Sequence, residues 1–264
     1  AHTRPGGAAT LFYRDIVSDR VRPQWRTQVR EAFQSGRIVD SASPDWFEET
    51  PTRVRAVPIV RELSREGEAV TTVGVLTRHT NLGETRTPSR QQITFNDCAD
   101  DLFGMISSAE FPDLAAPTAP RRGAPRASDG LIRLDVDGIT TFASPNALSA
   151  FNRMGFDDEL EGESLAEVTA RILPAKRQDV DESLPVVVSG RAPWRADMEA
   201  RGVQVSLRTI PLRDRGTRIG AIVLSRDVTE IRHQEQELIT KDATIREIHH
   251  RVKNNLQTVA SLLR

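Results

Sequence analysis

The sequence predicts an α+β chain of two domains, each an antiparallel sheet with flanking helices, followed by one long helix. Three observations carry that prediction. Two stretches of period-two alternation, Thr52 to Arg61 and Val70 to Arg78, imply paired strands in the first half. A second set of strand signals runs from Leu131 to Arg226 and contains Asp137-Gly138 between two alternating runs. From Val228 to Arg264 there is neither Gly nor Pro, and apolar residues recur every seven positions.

The chain has 264 residues, enough for about two domains with cores of their own. Hydrophobic residues are 38%, charged residues 28%, and the formal net charge is -1. That composition is neither membrane-like nor disordered and gives no support to polyanion binding. No run approaches the roughly 18 apolar residues that cross a bilayer. One cysteine, Cys98, excludes an internal disulfide framework and fits a reducing compartment. Ala1 to Gly7 resembles neither a signal peptide nor a natural start, and Arg264 interrupts a helical pattern without a stop signal. Both ends therefore read as cuts inside a longer protein.

The first unit spans residues 1–112. Gln24 to Phe33 has helical spacing. The two alternating runs form a hairpin around Gly67. Ser89 to Ser107 reads as a helix with Ile93, Cys98, Leu102, Phe103 and Ile106 on its apolar face, bounded by Pro88 and Pro112. Residues 113–130 are Pro-, Ala- and Arg-rich and read as a linker. Its arginines offer a nucleic-acid tether as an alternative to a solvated spacer.

The second unit spans residues 131–228. Leu131 to Val136 and Ile139 to Ala143 make a hairpin. Pro145 to Arg153 and Leu165 to Leu173 are short helices, and Val180 to Ser189 is an ambiguous apolar stretch. Trp194 to Ala200, Val203 to Leu212 and Ile219 to Arg226 form a closing meander.

In residues 229–264, Ile231, Leu238, Ile245, Val252 and Val259 occupy position a of a heptad, with Ile248 and Leu262 at d. Gln234, Lys241 and Asn255 also fall at d and weaken the seam. The alternative is a helix lying on its own domain. In this register His249 is at e and His250 at f, facing water. A solvent-facing imidazole at neutral pH offers one ring nitrogen with a free lone pair, the state a phosphoryl-accepting nucleophile requires. Glu247, Lys253 and Asn254 lie three or four residues from His250 on the same face. Glu247 is a candidate to hold the proton of one ring nitrogen, and Asn254 to orient a water for dephosphorylation. Arg251 and Lys253 are candidates to steer ATP or balance phosphate charge. Each charge also reads as part of an ordinary solvated face, with Glu247–Arg251 an i,i+4 pair.

The second unit resembles a PAS sensor domain. The resemblance rests on Leu134-Asp135-Val136-Asp137-Gly138-Ile139, on Phe142-Ala143-Ser144-Pro145-Asn146-Ala147, on Leu160-Glu161-Gly162 and on the exit Asp227-Val228-Thr229-Glu230. Ser144 stands where such domains usually have Asn. The first unit resembles the later part of a GAF-type sensor. Ile248-His249-His250-Arg251-Val252-Lys253-Asn254-Asn255-Leu256-Gln257 resembles the phosphoacceptor box of the histidine kinase subgroup reading H-R-x-K-N-N-L-Q, related to the HWE kinases.

The whole layout is similar to the cytoplasmic, PdtaS-type actinobacterial sensor kinases. That resemblance implies His250 as the phosphorylated residue and a homodimer through residues 229–264. It further implies ATP and Mg²⁺ bound by a domain beyond this chain, and a response-regulator aspartate as acceptor, with an RNA-binding antiterminator as one output. The fragment alone should then not autophosphorylate.

No His lies between 131 and 228 and Cys98 precedes the PAS, so neither haem nor a LOV-type flavin is expected there. Nor does any Cys/His cluster have metal-ligand spacing. The signal is an unidentified small molecule, unless side chains fill the PAS core. Two competing readings remain at this level: a non-catalytic dimeric sensory adaptor, and nucleic-acid binding through Arg251, Lys253 and the linker arginines.

Overall fold

The computed structural model describes residues 23–41, 44–47, 50–62, 70–83, 87–113, 123–173 and 182–262. Gly67 and Pro174 lie outside them, as does half of the Pro/Ala/Arg-rich stretch. No described helix is long and apolar enough to cross a membrane.

In the first unit a 3-10 turn, Pro23–Trp25, leads into α1 (Arg26–Ser35). The sheet is built on the long strand β3 (Thr50–Glu62). β4 (Val70–Asn81) pairs antiparallel along one side of it, completing the expected hairpin. Two short strands, β1 (Val39–Asp40) and β2 (Asp45–Phe47), share the other side in succession. Two and three residues are too few to show alternation, so neither is legible in the sequence. Pro58 sits inside β3, where it has no N–H to give. It is accommodated because β1 pairs only as far as Ala56, leaving that flank without a described partner, and because the register shifts at Ile59/Val60. Val54, Ala56, Val57 and Val60 are buried, together with Ala32 of α1 and Trp25.

The second unit is a five-stranded antiparallel sheet of order β6-β5-β9-β8-β7. Its strands are β5 (Leu131–Leu134), β6 (Thr140–Ala143), β7 (Arg195–Ala200), β8 (Val203–Asp214) and β9 (Thr217–Asp227). Asp137-Gly138 closes the β5–β6 connection as the end of a three-residue loop, not as a two-residue turn. Gly138 takes φ 84°, and the Asp135 carboxylate accepts from the backbone N–H of both Asp137 and Ile139 at 2.9 Å. One face of the sheet is covered by α3 (Pro145–Arg153), α4 (Leu165–Ile172) and α5 (Leu184–Val188). Their buried Phe151, Met154, Leu165, Val168 and Val187 pack on Leu134, Val205, Leu207 and Val223. The Ser144 hydroxyl accepts from the buried Leu131 N–H at 2.9 Å and so closes the β5–β6 end. Residues just before Leu131 also make contacts with the second unit. Asp129 accepts from Arg126 N–H at 2.9 Å, and Gly130 O accepts from Ser225 N–H at 3.0 Å, so residues 126–130 are folded onto it.

Between the two sheets lies α2 (Arg90–Ser107), capped by the Ser89 hydroxyl, which accepts from Gln92 N–H at 3.2 Å. Its buried residues are Cys98 and Met105. They pack, with Phe95 and Leu102, on the outer face of the second sheet at Leu131, Phe142, Leu212, Ile222 and Leu224. Toward the first sheet its contacts are mainly polar, with the Phe103 ring lying under the Arg78 guanidinium. Asp100 takes Arg55 at 2.7 Å and Arg78 at 2.9 Å, and Asn96 accepts from Arg78 at 2.5 Å. Asp101 pairs in the opposite direction with Arg133 of β5 at 2.8 Å. The apolar face expected from the sequence is therefore corrected in part. Ile93 is 48% exposed, while Phe95 and Met105 carry the packing with Cys98 and Leu102. Periodicity identified an amphipathic helix but not which of two flanking sheets its stripe would meet.

Burial pushes the Cys98 thiol up to about 11 from its ordinary 9.0. The thiolate is the reactive form, so at pH 8 the folded chain holds roughly 100-fold less of it than an exposed cysteine. We predict that Cys98 labels with a disulfide reagent at least about 100-fold more slowly in the native chain than in denaturant. Equal rates would show that α2 is not seated on the second sheet.

Candidate functional site

β9 lies in the middle of its sheet and runs directly into α6 (Thr229–Leu262), a single helix of 34 residues. The junction is fixed by side chains rather than by a loop. The Asp227 carboxylate accepts from Thr229 N–H at 2.8 Å and from the Thr229 hydroxyl at 2.6 Å. It also pairs with Arg153 of α3. Gln204 N–H donates to the Thr229 hydroxyl oxygen at 2.9 Å, and Val228 N–H donates to Gln204 O at 2.8 Å. One turn later Arg232 pairs with Asp197 of β7 at 2.6 Å and with Glu235 at 2.9 Å. Those hydrogen bonds, led by the one to Glu235, raise the Arg232 pKa against the opposing effect of burial. The base of α6 is thus tied to α3, β7, β8 and β9 at once.

Beyond that base the helix leaves the sheet. Leu238, Ile239, Ile245, Ile248 and Val252 are between 49% and 63% exposed. Four of these lie on the expected heptad seam, and Ile239 lies off it. An apolar stripe of this kind on an extended helix is a packing surface for a partner helix.

His249 and His250 are both exposed on this unbroken helix. Arg251 and Lys253 are exposed beside them. Glu247 pairs with Arg251, the ordinary i,i+4 contact, rather than with the imidazole. The side chain of Asn254 lies outside the described residues. Sequence reasoning did not single out Asp197, Arg232 or Arg153. Each is a charge in an alternating or helical pattern that by itself reads as solvated. Only the three-dimensional pairing marks them, although Asp227 falls within the exit motif Asp227-Val228-Thr229-Glu230.

The chain matches known families along its length. A family model described as "Histidine kinase PdtaS, GAF domain" covers residues 1–99, one described as "PAS fold" covers 125–233, and one described as "Histidine kinase" covers 247–264. The sensor histidine kinase PdtaS of Mycolicibacterium smegmatis is 40% identical over 269 residues, taking in all of this chain and 52% of that protein. The same kinase from Mycobacterium tuberculosis (strain CDC 1551 / Oshkosh) is 40% identical over 277 residues, with the same shares covered. The chain thus spans about half the length of the curated relatives it matches. A solved structure described as the sensor region of a sensor histidine kinase is 34% identical with a TM-score of 0.67, covering 88% of this chain and 80% of that one. The chain belongs to the sensor histidine kinases, as a sensor region. Its GAF and PAS units and its histidine-bearing helix are similar to those of PdtaS.

In this kinase sensor region the α6 anchor is open to test. Arg232→Ala removes a half-exposed ion-pair network worth at most about 1 kcal/mol, so global stability should change little. Hydrogen exchange of the amides from Thr229 to Gln236 should nonetheless quicken several-fold. Unchanged exchange there would show that the Asp197 contact does not hold the helix.

Proposed function

We propose that this chain is the sensory half of a dimeric, cytoplasmic histidine kinase and that His250 accepts the phosphoryl group. The carrying observation is the solvent-exposed position of His250 on an unbroken helix that continues the central strand of the PAS sheet. A ring nitrogen of the neutral imidazole attacks the γ-phosphorus of ATP. The bond from that phosphorus to the bridging oxygen breaks, ADP leaves, and a phosphohistidine remains. A carboxylate oxygen of a response-regulator aspartate then takes the phosphoryl group and regenerates the imidazole.

ATP and Mg²⁺ belong in this reading to a nucleotide-binding domain of the intact protein. The assisting roles rank below that of His250. Arg251 and Lys253 are exposed next to the imidazole and can balance phosphate charge, while Glu247 reaches the imidazole only by giving up Arg251. Asn254 is retained as the candidate for orienting a hydrolytic water. The GAF and PAS units supply the signal, an unidentified small molecule in one or both. The exposed stripe on α6 supports dimerisation through residues 229–264.

Two measurements test the proposal. The intact protein with ATP should acquire an acid-labile, alkali-stable phosphate that His250→Gln abolishes. Label that persists in the variant assigns another acceptor, and no label at all favours a non-catalytic sensory adaptor. Separately, Ile245→Lys removes two buried seam positions per dimer, worth about 1.5–3 kcal/mol each, so the dimer should weaken on the order of 100-fold or more. Light scattering on the variant reads this directly. A dimer of undiminished affinity would place the interface elsewhere.

A further inference from the structure

On the outer face of the PAS sheet, a shallow cleft open to solvent on one side lies between β7–β8 and the turn that follows α2. Its lining combines apolar and cationic groups: Ile210, Phe111 and Trp194 beside Arg195, Arg208 and Arg213. Trp194 is 43% exposed, an uncommon placement for an indole and one that leaves a flat ring face for a ligand. Arg195 and Arg208 are directly opposite one another on paired strands. Two like charges so placed repel, and Arg195 has a further interaction of its own.

Two acids reach the rim, and neither satisfies Arg208. Glu110 is committed to Ser108, whose hydroxyl donates to it at 2.9 Å, and to Gly216 N–H. Asp113 has an interaction of its own, and among the described residues the charge that shifts Arg208 is that of Arg195. Burial and that neighbour both lower the Arg208 pKa, with burial the larger cause. The Arg213 guanidinium makes a long contact to Gly216 O at 3.5 Å. A half-buried guanidinium facing a second one, with no carboxylate shown beside it among the described residues, is a group that an anion would complement.

We propose that this cleft binds a small planar anion, with Arg208 and Arg213 holding an oxyanion and Trp194 stacking on an aromatic ring. A guanidinium fork matches carboxylate and phosphate alike, so the shared chemistry is an oxyanion carried on a ring. The position gives such a ligand a consequence. Arg195 and Asp197 lie on the same face of β7, two residues apart, and Asp197 holds Arg232 at the base of α6. Occupancy is therefore felt two residues along β7 from the anchor of the helix. That consequence rests on the kinase reading, whereas the binding itself does not.

The test is calorimetric titration of the chain with phenyl phosphate, benzoate and inorganic phosphate, with benzyl alcohol as the uncharged control. Saturable one-site binding of phenyl phosphate or benzoate supports the site, and the tighter of the two identifies the oxyanion as phosphate or carboxylate. Arg208→Gln should weaken it at least about tenfold without lowering the melting temperature, since it relieves repulsion. Trp194→Ala should weaken the ring-bearing probes and leave inorganic phosphate unchanged. No saturable binding of any anion at about 10 mM, or wild-type affinity in Arg208→Gln, overturns the site. Benzyl alcohol binding as tightly as the anions, or inorganic phosphate as tightly as phenyl phosphate, overturns the assigned chemistry. Each readout is independent of phosphorylation, so a failed kinase reading would leave it standing.

Discussion

The constraint on which the molecule depends is the absence of a loop between β9 and α6. A strand in the interior of a sheet is fixed by hydrogen bonds on both sides, here to β5 and β8. Whatever follows it directly inherits that fixed direction. Asp227 makes the inheritance strict, since one carboxylate takes the first helical N–H, the Thr229 hydroxyl and the Arg153 guanidinium. A charge-assisted acceptor at a helix N-terminus also complements the helix dipole. Any change in the curvature of the PAS sheet is therefore carried into the axis of α6 rather than absorbed at a hinge.

The helix between the two sensors applies the same logic upstream. α2 uses unlike chemistry on its two sides: apolar contacts to the PAS sheet, ion pairs to the GAF-like sheet. Apolar burial of Cys98, Met105 and Leu102 is hard to lose, whereas the partly exposed arginine pairs of Asp100 are individually weak. The helix thus belongs energetically to the PAS unit and touches the GAF-like unit through replaceable contacts. Asp101 is a partial offset on that side. Burial raises its pKa more than Arg133 lowers it, so its charge is held at some cost on the PAS side. Because the folded chain retains that proton more readily than the unfolded one, this group's contribution to stability declines as pH rises above its ordinary 3.8.

Much of this was legible from residue order because the relevant signals are local. Pro145 at the first helical position, Pro88 just before α2 and the alternation in β3, β4, β7, β8 and β9 each act within a few residues. The exit motif and the histidine box are contiguous and so could be read directly. What escaped is non-local. β1 and β2 exist only because β3 offers them an edge, and α2 turns its stripe to a sheet that begins two dozen residues later. The pairing of Asp197 with Arg232 spans 35 positions and leaves no periodic trace. The arginine cleft assembles β7, β8 and the turn after α2, and no single segment of it is unusual.

Distance sharpens what α6 must do in the proposed kinase. From Thr229 to His250 is about 32 Å at 1.5 Å per residue, too far for any ligand in the PAS unit to touch the imidazole. Only the state of the helix can carry the signal. A helix anchored by Asp227 and Arg232 resists bending at its base, so the motions left to a pair of such helices are rotation and a shift of packing register. The seam is suited to that, because Gln234, Lys241 and Asn255 interrupt the apolar d positions while position a stays apolar. Polar residues at d weaken one packing arrangement without creating a better one, which keeps alternatives within a few kcal/mol. A fully apolar seam would hold the helices together more firmly and transmit less. In this reading the weak seam and the rigid anchor are complementary: the anchor sets the direction, and the seam lets the direction matter at His250.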